Sequence, residues 1–113
     1  MTTVHKFHAQ PTWVDGLRFA SKGEARRYGE LLLLQKAGII RDLVLQPAYP
    51  LHARGHDREW QLVGAYVADF EYVVCATDLL TTEDFKGVRT PLYRWKKKHF
   101  QAEYGRQIFE VTA

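Results

Sequence analysis

Apolar and polar positions along the chain change period several times, and the changes mark out the elements. Thr12-Trp13-Val14 and Leu17-Arg18-Phe19 flank Asp15-Gly16, the turn pair favoured between antiparallel strands, so a hairpin is predicted over 12–19. From Ser21 the period becomes helical. Ser21-Lys22-Gly23-Glu24 has the spacing of a capping box, Tyr28, Leu31, Leu32 and Gln35 continue one face, and Ala37-Gly38 ends it. An apolar run from Ile39 to Leu45 is broken at Gln46-Pro47, and a strand follows through Tyr49 and Leu51 to His52. The polar stretch Arg54 to Glu59 reads as an exposed loop.

Trp60 to Val74 reads as one long strand region, bulged at Gly64. After a turn at Ala76-Thr77-Asp78, Leu79 to Lys86 is the next strand. Thr90-Pro91 supplies an N-cap and a proline at the first helical position, predicting a helix to about Tyr104 that ends at Gly105. Gln107 to Val111 closes the chain as a short strand. The order of hairpin, helix, three strands, helix and strand predicts an α/β (α+β) fold. No internal repeat, linker or low-complexity stretch interrupts it.

Bulk properties narrow the class without choosing a function. With 113 residues there is enough chain for one modest core, so 12–113 is expected to form a single domain behind a flexible N-terminal segment, 1–11. A hydrophobic fraction of 46% with 26% charged residues is ordinary globular composition. Apolar runs such as Leu31 to Leu34 are far shorter than the roughly 20 residues of a membrane-spanning helix. With no secretory signal at the start, a cytoplasmic location is expected. The single cysteine, Cys75, excludes an internal disulfide and a multi-cysteine zinc site, and its strand-like surroundings suggest a small core residue.

Net charge is +3, which permits nucleic-acid binding without arguing for it. The cations are clustered, however. Arg94, Lys96, Lys97 and Lys98 stand together, as do Lys22, Arg26 and Arg27. Such clusters suit phosphate contacts, although two solvated helix faces would look the same. Histidines 5, 8, 52, 56 and 99 form no metal-ligand spacing. No serine–histidine–aspartate order, phosphate-cradling glycine loop or metalloprotease motif is present.

The distinctive chemistry lies in Tyr66-Val67-Ala68-Asp69-Phe70-Glu71-Tyr72 and Glu83-Asp84-Phe85-Lys86-Gly87. A carboxylate in a strand is expensive to bury without a partner. Asp84 and Lys86, two residues apart on a strand, project from one face. With Asp69 on the neighbouring strand, two carboxylates and an ammonium converge on one spot. The Phe85 carbonyl could add an oxygen, and the set suits a divalent cation beside a phosphodiester. Glu71 shares the face of Asp69 as a spare ligand. Simpler readings stand beside these: Asp69 facing water or an arginine, Asp84 and Lys86 as an exposed ion pair contributing at most about 1 kcal/mol, and Glu24 as the capping-box glutamate alone.

Asp69 and the triplet Asp84-Phe85-Lys86, with Glu24 on a preceding helix, resemble the PD-(D/E)xK nuclease superfamily. Within it, the longer string is similar to a small phage and prophage family first labelled only as a domain of unknown function. That string runs through Val14-Asp15-Gly16, Ser21-Lys22, Glu24-Ala25, Leu45-Gln46-Pro47, Tyr66 to Phe70, Glu83 to Gly87, Thr90, Lys96 and Lys98, and it spans residues 12 to 111. Ala68 replaces the proline that names the superfamily.

The resemblance implies a restriction-endonuclease-like core, a central mixed β-sheet flanked by two helices. It makes Asp69 and Asp84 metal ligands, Lys86 the catalytic lysine, Glu24 a helix carboxylate completing the site directly or through water, and Gln46 an accessory group. The implied cofactor is Mg²⁺ or Mn²⁺, and the partner is DNA, held through Lys22, Arg26, Arg94, Lys96, Lys97 and Lys98. Trp95, Phe100 and Tyr104 are expected in the core. The expected activity is a divalent-metal-dependent DNA endonuclease, selective for branched or junction DNA, acting in phage recombination, repair or packaging inside the bacterial host. A small chain has little room to read bases, and phosphate contacts carry no sequence information. A homodimer would match two symmetric strands. The rival reading is a non-catalytic DNA-binding or phage assembly protein that retains the fold.

Overall fold

The computed structural model of the chain describes residues 11–112; nearly all of the N-terminal segment, including His5 and His8, lies outside the described residues. Two strands, β1 (Thr12–Val14) and β2 (Leu17–Phe19), form the predicted hairpin, with Asp15 and Gly16 at φ 51° and 77° in its turn. Helix α1 runs Lys22–Lys36, and Ser21 Oγ caps it by accepting from the Glu24 N–H at 3.2 Å. Strands β3 (Ile40–Leu45), β4 (Ala48–Arg54), β5 (Trp60–Val67), β6 (Phe70–Val74) and β7 (Leu79–Phe85) follow. Helix α2 (Pro91–Tyr104) and strand β8 (Ile108–Val111) complete the order. Thr90 caps α2 as predicted, and Gly105, at φ 69°, takes the left-handed position that ends it.

The central sheet has the order β3-β6-β7-β8. Its first three strands run antiparallel and β8 lies parallel to β7, giving a mixed sheet with two helices. Alternation along β6 sends Phe70 and Tyr72 into a core with Phe19, Ala25, Tyr28, Leu31 and Ile40, on the α1 side. A second core on the other side gathers Tyr49, Leu51, Tyr66, Ala68, Phe100 and Ile108 under α2.

The expected long strand from Trp60 to Val74 is two strands, and the cause lies in the facing segment. Pro47 has no N–H with which to continue a ladder, and Gln46 adopts φ 50°. Both chains bend at this level: Gln46 N donates to Asp69 O at 2.9 Å and Ala68 N to Pro47 O at 3.1 Å. Beyond the bend, β4 and β5 leave the central sheet as a separate hairpin. Asp69 therefore stands at the bend, one residue before β6. The bulge is placed close to expectation, since the register skips Val63, beside Gly64. Helix α2 closes the free edge of β4, where Glu103 accepts from His52 N, and His99 and Tyr104 bond the carbonyls of His52 and Pro50.

Two core expectations are corrected. The buried stripe of α2 runs through Tyr93, Phe100 and the partly buried Tyr104, so Trp95 falls on the opposite side and is 74% exposed. Cys75 is exposed, because it opens the β6–β7 turn instead of lying within a strand. Among the described residues no helix is long and apolar enough to cross a membrane.

Candidate functional site

The end of the β6–β7 ladder builds the site. Its last paired residues are Phe70 and Glu83. Asp69 then extends the ladder partly with its side chain: its N–H donates to Glu83 O at 3.2 Å, while its Oδ2 accepts from Phe85 N at 2.7 Å. Lys86 N bonds Val111 O on β8 at 2.8 Å. Alternation along β7 therefore turns the N–H and the carbonyl of Phe85 toward Asp69.

Asp84 is 1% exposed and stands among three groups. Its carboxyl touches that of Asp69, its Oδ2 accepts from the Tyr66 hydroxyl, and its Oδ1 is 3.4 Å from Lys86 Nζ. Glu24, in the first turn of α1, interacts directly with Asp69 and feels the charge of Asp84. The cap on α1 thus comes from Ser21, and the Glu24 carboxyl joins the cluster. Lys86 Nζ lies 4.1 Å from the centroid of the Tyr93 ring, a cation–π contact that holds the ammonium against the first turn of α2.

Crowding shows in the protonation of the cluster. Burial, then the contact with Asp69, pushes the Asp84 carboxyl up to about 7. Burial also raises Asp69, to about 6, with the charge of Glu24 adding to it and the Phe85 N–H working against it. Glu24 is raised chiefly by burial. The three carboxyls have one nearby ammonium, Lys86, so their mutual repulsion is only partly offset. Burial and the carboxylate of Asp84 raise the Tyr66 hydroxyl, which stays a donor.

A cleft of about 110 Å³ opens beside these groups, with Glu24, Asp69, Gln46 and Arg18 among its lining. Gln46 is thus at the site, and Arg18, from the hairpin, is an addition the sequence did not single out. Among the described residues, no three acidic, histidine or cysteine side chains already surround one cation-sized point. The donor chemistry nevertheless fits a hard divalent ion. All the donors are oxygens, and they outnumber the cations. A shared ion would be ruled out if these carboxyls lay more than about 8 Å apart; they are in contact.

Not every expected residue gathers here. Glu71 shares the face but is held farther along the strand, accepting from Tyr49 OH at 2.7 Å with Arg106 at 3.9 Å. Lys97 pairs with Glu110 at 3.2 Å. Burial tends to raise Glu110, but bonds from Tyr93, Arg89 and Lys97 outweigh it and hold it at about 2. Lys22, Arg26, Arg94 and Lys98 are exposed and Lys96 is half-buried. Arg27, beside Arg26 in sequence, turns inward and forks onto the fully buried Glu83 at 2.7 and 2.9 Å. Tyr72 OH donates to the same carboxylate at 2.7 Å. The roles of Tyr66 and Glu83 were missed, though each left a signal: a tyrosine at an inward strand position needs a partner for its hydroxyl, and an acid beside Asp84 must face the opposite core.

These elements define a mixed α+β domain with three carboxyls and one lysine at the open end of its central sheet. The chain belongs to the family described as "Protein of unknown function (DUF1064)", whose model matches residues 4–111. No curated protein and no solved structure matches the chain.

Proposed function

We propose that this protein is a divalent-metal-dependent DNA endonuclease of the PD-(D/E)xK type, with Mg²⁺ or Mn²⁺ as its cofactor. The observation that carries the reading is the meeting of Asp69, Asp84 and Glu24 with Lys86 at one sheet end. The mixed four-stranded sheet around it, three antiparallel strands and a parallel fourth with one helix before and one after β7, supports the reading.

Asp69, Asp84 and the Phe85 carbonyl would hold the ion, with Glu24 completing the shell directly or through water. Once bound, the ion would polarise the scissile phosphate and lower the pKa of a water. Lys86 sits beside Asp84 to orient the attacking water and offset charge developing on the phosphate. Tyr93 keeps that ammonium in place, and Tyr66 fixes the orientation of the Asp84 carboxyl. Lys22, Arg26, Arg94, Lys96 and Lys98 supply cations for the DNA backbone, whose contacts are independent of sequence. Branched DNA is accordingly the proposed substrate, in phage recombination, repair or packaging within the host cytoplasm. Two cuts on opposed strands would call for a homodimer. The uncharged β5, unpaired along its outer edge among the described residues and exposing Trp60, Leu62 and Val63, is where two copies would meet. Sedimentation of the protein alone decides that point.

The test is cleavage of linear, forked and four-way DNA with Mg²⁺ or Mn²⁺. Wild type is expected to cut at least one of them, and Asp84→Ala to cut none while remaining folded. Equal cutting by the variant overturns the enzyme reading. Binding without any cutting by wild type leaves the rival, a non-catalytic DNA-binding or phage assembly protein on the nuclease fold.

A further inference from the structure

Helix α2 presents one side to the core and carries an unusual combination on the other. Trp95 is 74% exposed and Leu92 is 64% exposed. Trp95 lies in a shallow depression of about 660 Å³ whose lining also includes Arg94, Lys98 and His99. The ion pairs of α2 run through Lys97 and His99, and among the described residues neither Arg94 nor Lys98 meets a carboxylate. Pro91, Trp95, Lys98 and Ala102 recur at helical spacing, so the indole and the free ammonium share one ridge.

A bare indole between unpaired cations is poorly suited to water and well suited to one chemistry. A nucleobase offers a flat apolar face of matching size, and its phosphates bring negative charge to both sides. Bases within a duplex are stacked on their neighbours and do not offer that face; unpaired bases do. We infer that Trp95, with Arg94 and Lys98, is a stacking platform for an unpaired base of single-stranded or splayed DNA. The inference deepens the nuclease proposal and rests on it for DNA as the ligand. It also supplies what a chain without a base-reading element needs to select branched substrates: a contact that exists only where strands separate. The first turn of α2 touches the site through Tyr93, and Trp95 is about 3 Å farther along the axis and on another side of a helix about 10 Å wide. A strand leaving the carboxylates reaches it within a few nucleotides.

The test is binding with chelator present, so that cleavage does not enter. Fluorescence anisotropy is measured with a labelled single strand of about 20 nucleotides, its blunt duplex and a forked duplex, a length sufficient for one stacking site. Trp95→Ala is expected to weaken binding to the single strand and fork about tenfold and to the blunt duplex less than about twofold. Trp95→Phe should restore most of the loss, and Lys98→Ala should weaken all three alike. The platform is overturned if Trp95→Ala leaves every affinity unchanged or lowers all three equally. It is also overturned if the variant changes the sedimenting mass, which would make the ridge a protein contact. DNA cut normally with no effect at Trp95 removes this inference alone, whereas absence of binding to any DNA removes the nuclease reading as well.

Discussion

Gly23 lies against the ring of Phe85: a Cβ at Gly23 would stand 2.3 Å from Phe85 Cζ. This approach brings the first turn of α1 onto β7 and sets the next residue, Glu24, beside Asp69. Gly23→Ala gains about 1 kcal/mol of helix propensity and loses about 1–3 kcal/mol to overpacking. The expected result is a small net change in stability with cleavage reduced at least tenfold, because the ring or the helix must move at the site. Denaturant titration and cleavage rate are read together. Cutting at the wild-type rate would separate the contact from function.

The Arg27–Glu83 pair is the strongest electrostatic feature of the α1 face. Glu83 is fully buried and accepts from Arg27 and Tyr72, and the bonds that Arg27 donates to Glu83 hold its guanidinium above its usual range. Removing one partner of a buried pair leaves an uncompensated charge, costing about 3–5 kcal/mol. Arg27→Ala should therefore lower the unfolding free energy by about that amount in urea. A loss under about 1 kcal/mol would show that water replaces the guanidinium.

Most of the architecture was legible because each boundary carried a local signal: Asp15-Gly16 for the hairpin, Ser21 and Thr90 for the helix starts, Gly105 for a stop. The break at Asp69 was not, because its cause sits in another strand, at Gln46 and Pro47. At the site, Asp69, Asp84 and Lys86 were visible as charges in strand-like runs. Glu24 was ambiguous because its spacing also satisfies a cap, and only the position of α1 on the sheet brings its carboxyl to Asp69. Arg27 and Lys97 looked free for phosphate because sequence does not reveal buried or neighbouring acids such as Glu83 and Glu110. Trp95 was misplaced by hydrophobicity; the three-dimensional stripe through Tyr93 and Phe100 leaves it outside.

Gln46 holds a left-handed backbone, φ 50°, which costs a non-glycine residue on the order of 1 kcal/mol. Its amide donates to Asp69 O and its side chain lines the cleft. Gln46→Gly should relieve the strain, offset in part by the freer unfolded chain, leaving stability unchanged or up to about 1 kcal/mol higher. Gln46→Ala keeps the strain and loses the same side chain. Equal loss of cleavage in both variants, with a stability gain only in the glycine one, assigns the side chain to function and the backbone to strain. Full activity in both would leave Gln46 as a turn residue.

The crowding of Asp69 and Asp84 makes stability depend on pH in a direction opposite to that of most acidic groups. Their carboxyls are raised to about 6 and 7 in the folded protein, against about 3.9 in an unfolded chain. The folded state therefore binds protons more tightly. The stabilisation is fully present below about pH 4 and is lost as pH rises through 6 and 7. With chelator present, the unfolding free energy attributable to these groups should fall by on the order of 2–4 kcal/mol between pH 5 and pH 8. Asp84→Asn removes the group that holds the proton last, so it should flatten this slope and raise stability at pH 8, while abolishing cleavage. Saturating Mg²⁺ or Mn²⁺ should flatten the wild-type slope as well, because a divalent ion would offset the same carboxylate charge that protonation removes. Thermal melts of both proteins at the two pH values, with and without the ion, decide the matter. A wild-type slope that persists in Asp84→Asn would place its origin outside the carboxyl cluster, and a slope insensitive to both ions would deny the cluster its cation.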